Sequence, residues 1–273
     1  GQIRDGGRTN RAGLDPRRQY FAGMDDKEYA FDRENHRIGA GEFEQVSLMF
    51  NGNFPMERGG TFYAFGGMNT RDGESGCYYR RAQDNRTLRA WYPDGFLPLI
   101  SPTLTDTSLA VGMKGIMDNG TVLDGMAYDF SVNTGSNEFA WGMKNSHNAT
   151  AGTGPDQQSE FDLGTLGYRQ TTVNFDLSTQ IELGGFEGPV NLAMGAELRM
   201  ENYEITAGEE AGYADFGYDV LDGPNAGASA AVGCQCLPGL APANEQDRDR
   251  DAFSLYAEIG GNLSEDLSLD VAL

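Results

Sequence analysis

Between Thr171 and Glu182 apolar and polar residues alternate without a break. Val173, Phe175, Leu177, Thr179 and Ile181 fall on one side of an extended chain. Thr172, Asn174, Asp176, Ser178, Gln180 and Glu182 fall on the other. Successive strand side chains point to opposite faces, so the pattern specifies a two-faced strand. It exceeds the ~5–6 residues usual in soluble sheets and suits the about 9–11 of a tilted membrane-crossing strand. After the Gly-rich stretch Gly184–Gly188 the alternation resumes. Val190, Leu192, Met194, Ala196, Leu198 and Met200 oppose Asn191, Ala193, Gly195, Glu197, Arg199 and Glu201. Two long antiparallel strands with a short turn make a hairpin. A wall that is apolar outside and polar inside satisfies both of its faces. Phe175 and Leu192 are therefore expected to face lipid, and Asp176 and Glu197 a wet lumen.

The same period recurs along the chain. Val46, Leu48 and Phe50 oppose Gln45, Ser47 and Asn51, with Met49 on the polar side, and Thr61–Met68 reads as the return strand. Leu109, Val111 and Met113 lead through Asp118-Asn119-Gly120, a strong hairpin signal, to Tyr128, Phe130 and Val132. Phe253, Leu255, Ala257 and Ile259 lead through Asn262–Asp266 to Leu267–Leu273. Between these hairpins lie 69–106, 135–167 and 206–251, which read as long irregular connections, with Phe139–Met143 a possible strand extension. Thr9–Gly41 reads as a loop after the end of an earlier strand in Gly1–Arg8. The expectation is an all-β fold: an antiparallel transmembrane β-barrel fragment of about eight long strands in four hairpins. Short turns lie at one end and loops of roughly 30–45 residues at the other, far longer than compact soluble domains use. Residues 1–273 are expected to be one partial barrel domain, incomplete at both ends.

Composition sharpens this picture in two places. The formal net charge is −21, which argues against nucleic acid as a partner, since phosphates demand a basic footprint. Mean hydropathy is low, at −0.49, yet barrel strands carry apolar residues only at alternate positions, so this does not exclude a membrane. The three cysteines are Cys77, Cys234 and Cys236. Cys234 and Cys236 could close a small strained ring or remain two thiols. His36 and His147 are the only histidines and lack partners at metal-ligand spacing. No metal site or cofactor is expected.

A family resemblance rests on an ordered set of short pieces. They are Thr-Asn-Arg-Ala-Gly (9–13), Tyr-Ala-Phe-Gly-Gly (63–67), Arg-Asp-Gly-Glu-Ser (71–75) and Tyr-Pro-Asp-Gly-Phe-Leu-Pro-Leu-Ile (92–100). Asn-Leu-Ala-Met-Gly-Ala-Glu-Leu-Arg (191–199), Leu-Asp-Gly-Pro-Asn-Ala-Gly (221–227) and Leu-Tyr-Ala-Glu-Ile (255–259) follow. The chain resembles the front part of the barrel of a TonB-dependent outer-membrane receptor. That resemblance implies a large plugged barrel in the bacterial outer membrane, with membrane lipid and the TonB complex as partners. It also implies uptake of a small nutrient: an iron chelate, haem, cobalamin or an oligosaccharide. The segments that would contact TonB, plug the lumen and end the barrel are not among these residues. No ligand contact carries over, because receptor loops follow their ligands.

The remaining chemistry is sparse. Acidic pairs such as Asp25-Asp26 and Glu209-Glu210 lie in hydrophilic stretches without partners, and no nucleophile elbow or phosphate loop appears, so an enzyme is not expected. The run Asp247–Asp251 reads as a solvated loop base without calcium-loop spacing. Trp91, Tyr92, Tyr213, Phe216 and Tyr218 are candidate ligand contacts, with loop self-packing as the plainer role. Phe43, Phe54, Tyr168, Phe186, Tyr203 and Phe253, at strand ends, are candidates for an interfacial aromatic girdle. The 206–251 connection, with nine acidic and two basic residues, is expected outside the cell, in ligand capture or lumen closure. Two rivals remain: a passive porin, and a secreted glycan-binding β-sandwich whose apolar faces would meet in a dry core.

Overall fold

Each alternating run forms a strand, and the strands are longer than the alternation alone implies. A computed structural model of the chain describes residues 2–5, 34–39, 41–57, 59–82, 84–118, 120–154, 157–223 and 225–273. In order the strands are β1 (Gln2–Asp5), β2 (Glu34–Ile38), β3 (Glu42–Pro55), β4 (Thr61–Gly76), β5 (Arg80–Arg81), β6 (Gly95–Phe96) and β7 (Leu99–Ile100). Then come β8 (Thr103–Ile116), β9 (Ala127–Lys144), β10 (Phe161–Ile181), β11 (Val190–Ala207), β12 (Gln246–Ser264) and β13 (Leu267–Ala272). One α-helical turn, α1 (Glu210–Tyr213), and a 3-10 turn (Pro242–Asn244) sit between β11 and β12, and another 3-10 turn (Ala149–Ala151) between β9 and β10. The fold is all-β and antiparallel. The hairpins β3–β4, β8–β9, β10–β11 and β12–β13 join side by side into one barrel-like sheet, with β3 and β13 at its two ends.

Register fixes the faces. Val173 lies opposite Val132 and Leu198, and Phe175 opposite Phe130 and Ala196. Leu198 in turn meets Phe253, and Val132 meets Val111. The apolar positions of all four hairpins therefore share one face, as expected for Phe175 and Leu192. Asp176 and Glu197 share the other. Among the described residues the apolar face is uncovered: Val46 is 77% exposed and Leu255 70%. A sandwich would need two such faces to meet; here they are a single continuous surface of one sheet. From Val173 to Ile181 the apolar band runs about 26 Å along the strand, or about 20 Å once strands tilt by 35–45°.

The polar face is stitched by hydrogen bonds. The Tyr63 hydroxyl crosses β8 to donate to Asp129 Oδ1 (2.6 Å), and the Tyr256 hydroxyl crosses β11 to donate to Asp176 Oδ1 (2.7 Å). Both rings lie over a glycine. A methyl group at Gly112 or Gly195 would collide with the tyrosine above it, so each glycine is the slot that lets its brace reach the second strand over. The two acceptors, Asp129 and Asp176, are themselves direct cross-strand partners.

Several sequence expectations are corrected at the boundaries. β4 runs on to Gly76 and β8 starts at Thr103, so the first connection is 77–102. β9 extends to Lys144 and β10 starts at Phe161, which shortens the second connection to 145–160. The third is 208–245, and Asp247–Asp251 is the start of β12 rather than a loop base. These extensions were hidden because the apolar phase stops while the strand does not. On the same face, Leu109 is followed by Thr107 and Thr105, Val132 by Thr134 and Ser136, Val173 by Thr171 and Arg169, and Phe253 by Asp251 and Asp249. Of the girdle candidates, Phe54 and Phe253 are on the apolar face, and Phe54 packs against Phe62 with ring centroids 6.1 Å apart. Phe43, Tyr168 and Tyr203 are on the polar face, and Phe186 lies in the β10–β11 turn. The β8–β9 turn closes through Met117 N–H to the Met126 carbonyl (2.8 Å) rather than as a tight Asn-Gly pair, and Asn119 lies outside the described residues. The expected Thr9–Gly41 loop also lies mostly outside them, but its end is β2, paired with β1.

Candidate functional site

The three long connections fold together at one end of the sheet. Their apolar centre is Met143, Phe161, Leu163 and Cys234, with Ile100, Trp141, Ala211, Cys236 and Leu237 packed around it. Trp141 and Met143 share the strand face of Asn133 and Asn137, so this cap rests on the polar side of the sheet. Gly164 makes the junction possible. It sits at a bulge with φ +100°, where a side chain would strike the Thr206 carbonyl. Past the bulge, the Leu163 carbonyl accepts from Leu240 N–H (2.8 Å) and the Asp162 carbonyl from Glu209 N–H (3.0 Å), docking the third connection onto the top of β10.

Asn148 is the polar hub. Its Nδ2 donates to the carbonyls of Ala211 (3.0 Å) and Ala214 (2.8 Å), and its Oδ1 accepts from Thr150 N–H (3.1 Å) and Oγ1 (2.7 Å). Gln157 Nε2 donates to the Asn148 carbonyl (2.9 Å). Ser146 Oγ accepts from Gln235 N–H (2.9 Å) and donates to the Gln235 carbonyl. These satisfied buried groups fix the second connection against the third, since leaving any of them unpaired costs about 1–3 kcal/mol.

His147 joins the second connection to the first. It is fully buried, stacks on Tyr92 (centroids 5.2 Å apart), meets the Phe96 ring at a tilt (4.6 Å), and its Nε2 accepts from Leu88 N–H (2.9 Å). An accepting Nε2 requires the neutral imidazole, and burial pushes the His147 pKa down to about 4. First and third connections meet through the Cys77–Cys236 disulfide, which spans 159 residues of sequence, and through an Arg89–Asp222 ion pair (2.8 Å). The pairing differs from both sequence alternatives: Cys236 reaches Cys77, and Cys234 stays a buried thiol donating to the Leu237 carbonyl (3.0 Å). Burial, with the Glu209 charge added, raises the Cys234 pKa to about 12, so the thiol is inert at neutral pH.

The sequence-derived contact residues separate by exposure. Tyr92 is structural, held between Phe96 and His147. Tyr213 and Phe216 are half-buried around α1, with Phe216 N–H bonded to Thr150 Oγ1 (3.2 Å). Only Trp91 and Tyr218 of the five are exposed. Below the cap, on the polar face, lies a recess of about 300 Å³ lined by Asn133, Asn137, Tyr168 and Gln170 and opened by the bare backbone of Gly135. Beside it Tyr168 donates to Glu201, whose carboxylate also receives Arg250 Nε (2.6 Å). Amides, a tyrosine and a carboxylate–guanidinium pair can hold a polar ligand by directed hydrogen bonds. Sequence reading missed this recess because Gly135–Asn137 fell in the expected 135–167 loop and nothing local sets them beside Tyr168 and Gln170; that pairing comes from the β9–β10 register. Among the described residues no group of three acidic, histidine or cysteine side chains is placed to hold a metal. No family model, curated protein or solved structure matches the chain.

Proposed function

We propose that the chain is barrel wall and loop cap of a TonB-dependent outer-membrane receptor, which binds a scarce nutrient outside the cell and imports it with TonB-derived energy. The observation that carries this reading is the apolar band. It is uncovered, continuous across four hairpins, and about the height of a barrel's lipid-facing belt. In this reading the apolar face meets lipid and the polar face lines the lumen. The cap is extracellular, because long loops mark that end of bacterial barrels. It supports capture rather than passive flow, since a porin needs an open lumen and these loops fold over the polar side. The exposed Trp91 and Tyr218 and the Tyr168–Gln170 recess are the proposed ligand-contacting surfaces; the nutrient remains one of iron chelate, haem, cobalamin or oligosaccharide.

The corrected boundaries define the test. In the full-length protein, residues 209–244 are replaced by a short Gly/Ser linker, with Cys77→Ser to avoid a stray thiol. Surface abundance and uptake of ferric chelate, haem, cobalamin and oligosaccharide probes are then measured with and without a working TonB complex. Expected are normal abundance, and uptake of one probe by the parent protein that needs both the loop and TonB. TonB-independent uptake would instead indicate a porin, and unchanged uptake without the loop would remove its role in capture.

A further inference from the structure

The Tyr168–Gln170 recess is one point on a belt that crosses the polar face from β3 to β11. Register sets Ser47, Asn69, Asp106, Asn137, Tyr168 and Tyr203 opposite one another in turn. Directly opposed residues share a face, so these form one row. Five strand steps of about 4.8 Å make it about 24 Å long. The next row toward the cap is apolar, with Leu104, Phe139, Leu166 and Ile205 in register. The belt is already partly wired. Asn137 Nδ2 donates to Asp106 Oδ1 (2.6 Å), Asn69 Nδ2 to Asp106 Oδ2 (3.3 Å), and Ser47 Oγ to Asn69 Oδ1 (2.8 Å). These bonds orient the side chains and leave the Asn137 side-chain carbonyl without a donor among the described residues. The Asn133 side-chain carbonyl, also lining the recess, has none either. Tyr203 is 41% exposed, and its hydroxyl has no partner among the described residues.

Three properties select the ligand. Oriented amide and carboxylate acceptors call for a partner rich in donors, and sugar hydroxyls both donate and accept. Two exposed tyrosine rings on adjacent strands offer their faces to C–H groups, because the ring face is the negative end of its quadrupole. Positive charge here is already committed. Arg250 is spent on Glu201 and Arg199 on Glu197 (2.7 Å), while Arg248, past Tyr203, donates to the Asp247 carbonyl (3.1 Å). Asp106, beside Asn137 and without an ion pair among the described residues, repels anions.

We propose that this belt binds a neutral oligosaccharide, with one sugar ring seated in the recess against Tyr168 and the next against Tyr203, and with Asn133, Asn137 and Asp106 accepting from sugar hydroxyls. The proposal rests on the transport reading above, in which this face lines the lumen, and it narrows the nutrient to one class.

Its test is an array of neutral and uronate-bearing oligosaccharides probed with the detergent-solubilised full-length protein, with a ferric tricatecholate chelate, haem and cobalamin titrated separately. The expected result is retention of neutral oligosaccharides that high salt does not weaken, with uronate-bearing ones held about tenfold less tightly. Tyr203→Ala should weaken binding about tenfold, the scale of one aromatic contact, and Tyr203→Phe, which keeps the ring, much less. Asn137→Ala should also cost about tenfold. Retention of no neutral glycan, preference for uronates, or unchanged binding in Tyr203→Ala and Asn137→Ala overturns the proposal; should one variant fail to assemble, the other decides. Haem binding that is lost in Tyr203→Phe overturns it too, by making the hydroxyl an iron ligand. Uptake gives a separate reading. A retained glycan that enters without TonB overturns the transport reading and leaves the sugar site standing. TonB-driven uptake of chelate, haem or cobalamin, untouched by Tyr203→Ala, does the reverse.

Discussion

The wall and the cap of this molecule are stabilised in opposite ways. In the wall one rule dominates: apolar side chains on one face and mostly polar ones on the other, with Met49 and Phe65 as exceptions, and strands between β3 and β13 laddered to neighbours in register. Few residues there are buried, Val190 and Ala110 among them, and most of the apolar face stays uncovered. The cap is a small globular core. Met143, Leu163 and Cys234 are almost fully buried, Asn148 and His147 are buried with them, and a disulfide ties sequence-distant segments. A repetitive wall tolerates changes at its polar positions; a cap built on single hubs does not.

That contrast can be broken by removing the longest-range tie. Cys77→Ser with Cys236→Ser should weaken the cap by about 3–4 kcal/mol, because the cross-link closes a very long stretch of chain. Hydrogen exchange should accelerate in 208–245 and stay unchanged in β10 and β11. Equal acceleration in the wall would merge the two regions into one cooperative unit. The wall has its own weak point. Phe175→Arg should cost about 2–4 kcal/mol and impair membrane assembly, read by folded yield of the full-length protein in bilayers. Normal assembly would mean Phe175 does not face hydrocarbon.

Acid should act on the cap alone. The folded pKa of His147, about 4, lies below its ordinary value of 6.5. Between those values the unfolded chain binds the extra proton, so cap stability is complete above about pH 6.5 and falls as pH drops toward 4. The full shift corresponds to about 3 kcal/mol. Exchange of the Leu88 amide between pH 7 and 4 follows this directly, and His147→Gln, which keeps an acceptor without titrating there, should flatten the profile. The smallest effect belongs to the wall's polar side. Asp176→Asn keeps an oxygen for the Tyr256 hydroxyl and removes the like charge facing Asp129, so its cost should stay under about 1 kcal/mol in the same assembly assay. A loss as large as that of Phe175→Arg would assign Asp176 a role beyond the wall.

Strand phase was legible in the sequence because it is local. A period of two needs only neighbouring residues, and Val173–Ile181 or Val190–Met200 announces a face without reference to anything else. The four hairpins, their order and the two faces of Phe175 and Asp176 all follow from it. Where the band ends, that signal fades: Thr134–Glu138 and Asp247–Asp251 are strand segments with polar or glycine positions on both faces, so hydropathy no longer alternates and only the ladder to β8, β10 and β11 reveals them. The cap was illegible for a different reason. That Cys77 pairs with Cys236, that Asn148 serves Ala211 and Ala214, and that His147 sits under Leu88 depend on segments far apart in sequence meeting at one rim. Local pattern thus specified the wall residue by residue, while long-range contact decided which loop residues became core, and left Trp91 and Tyr218 at the surface.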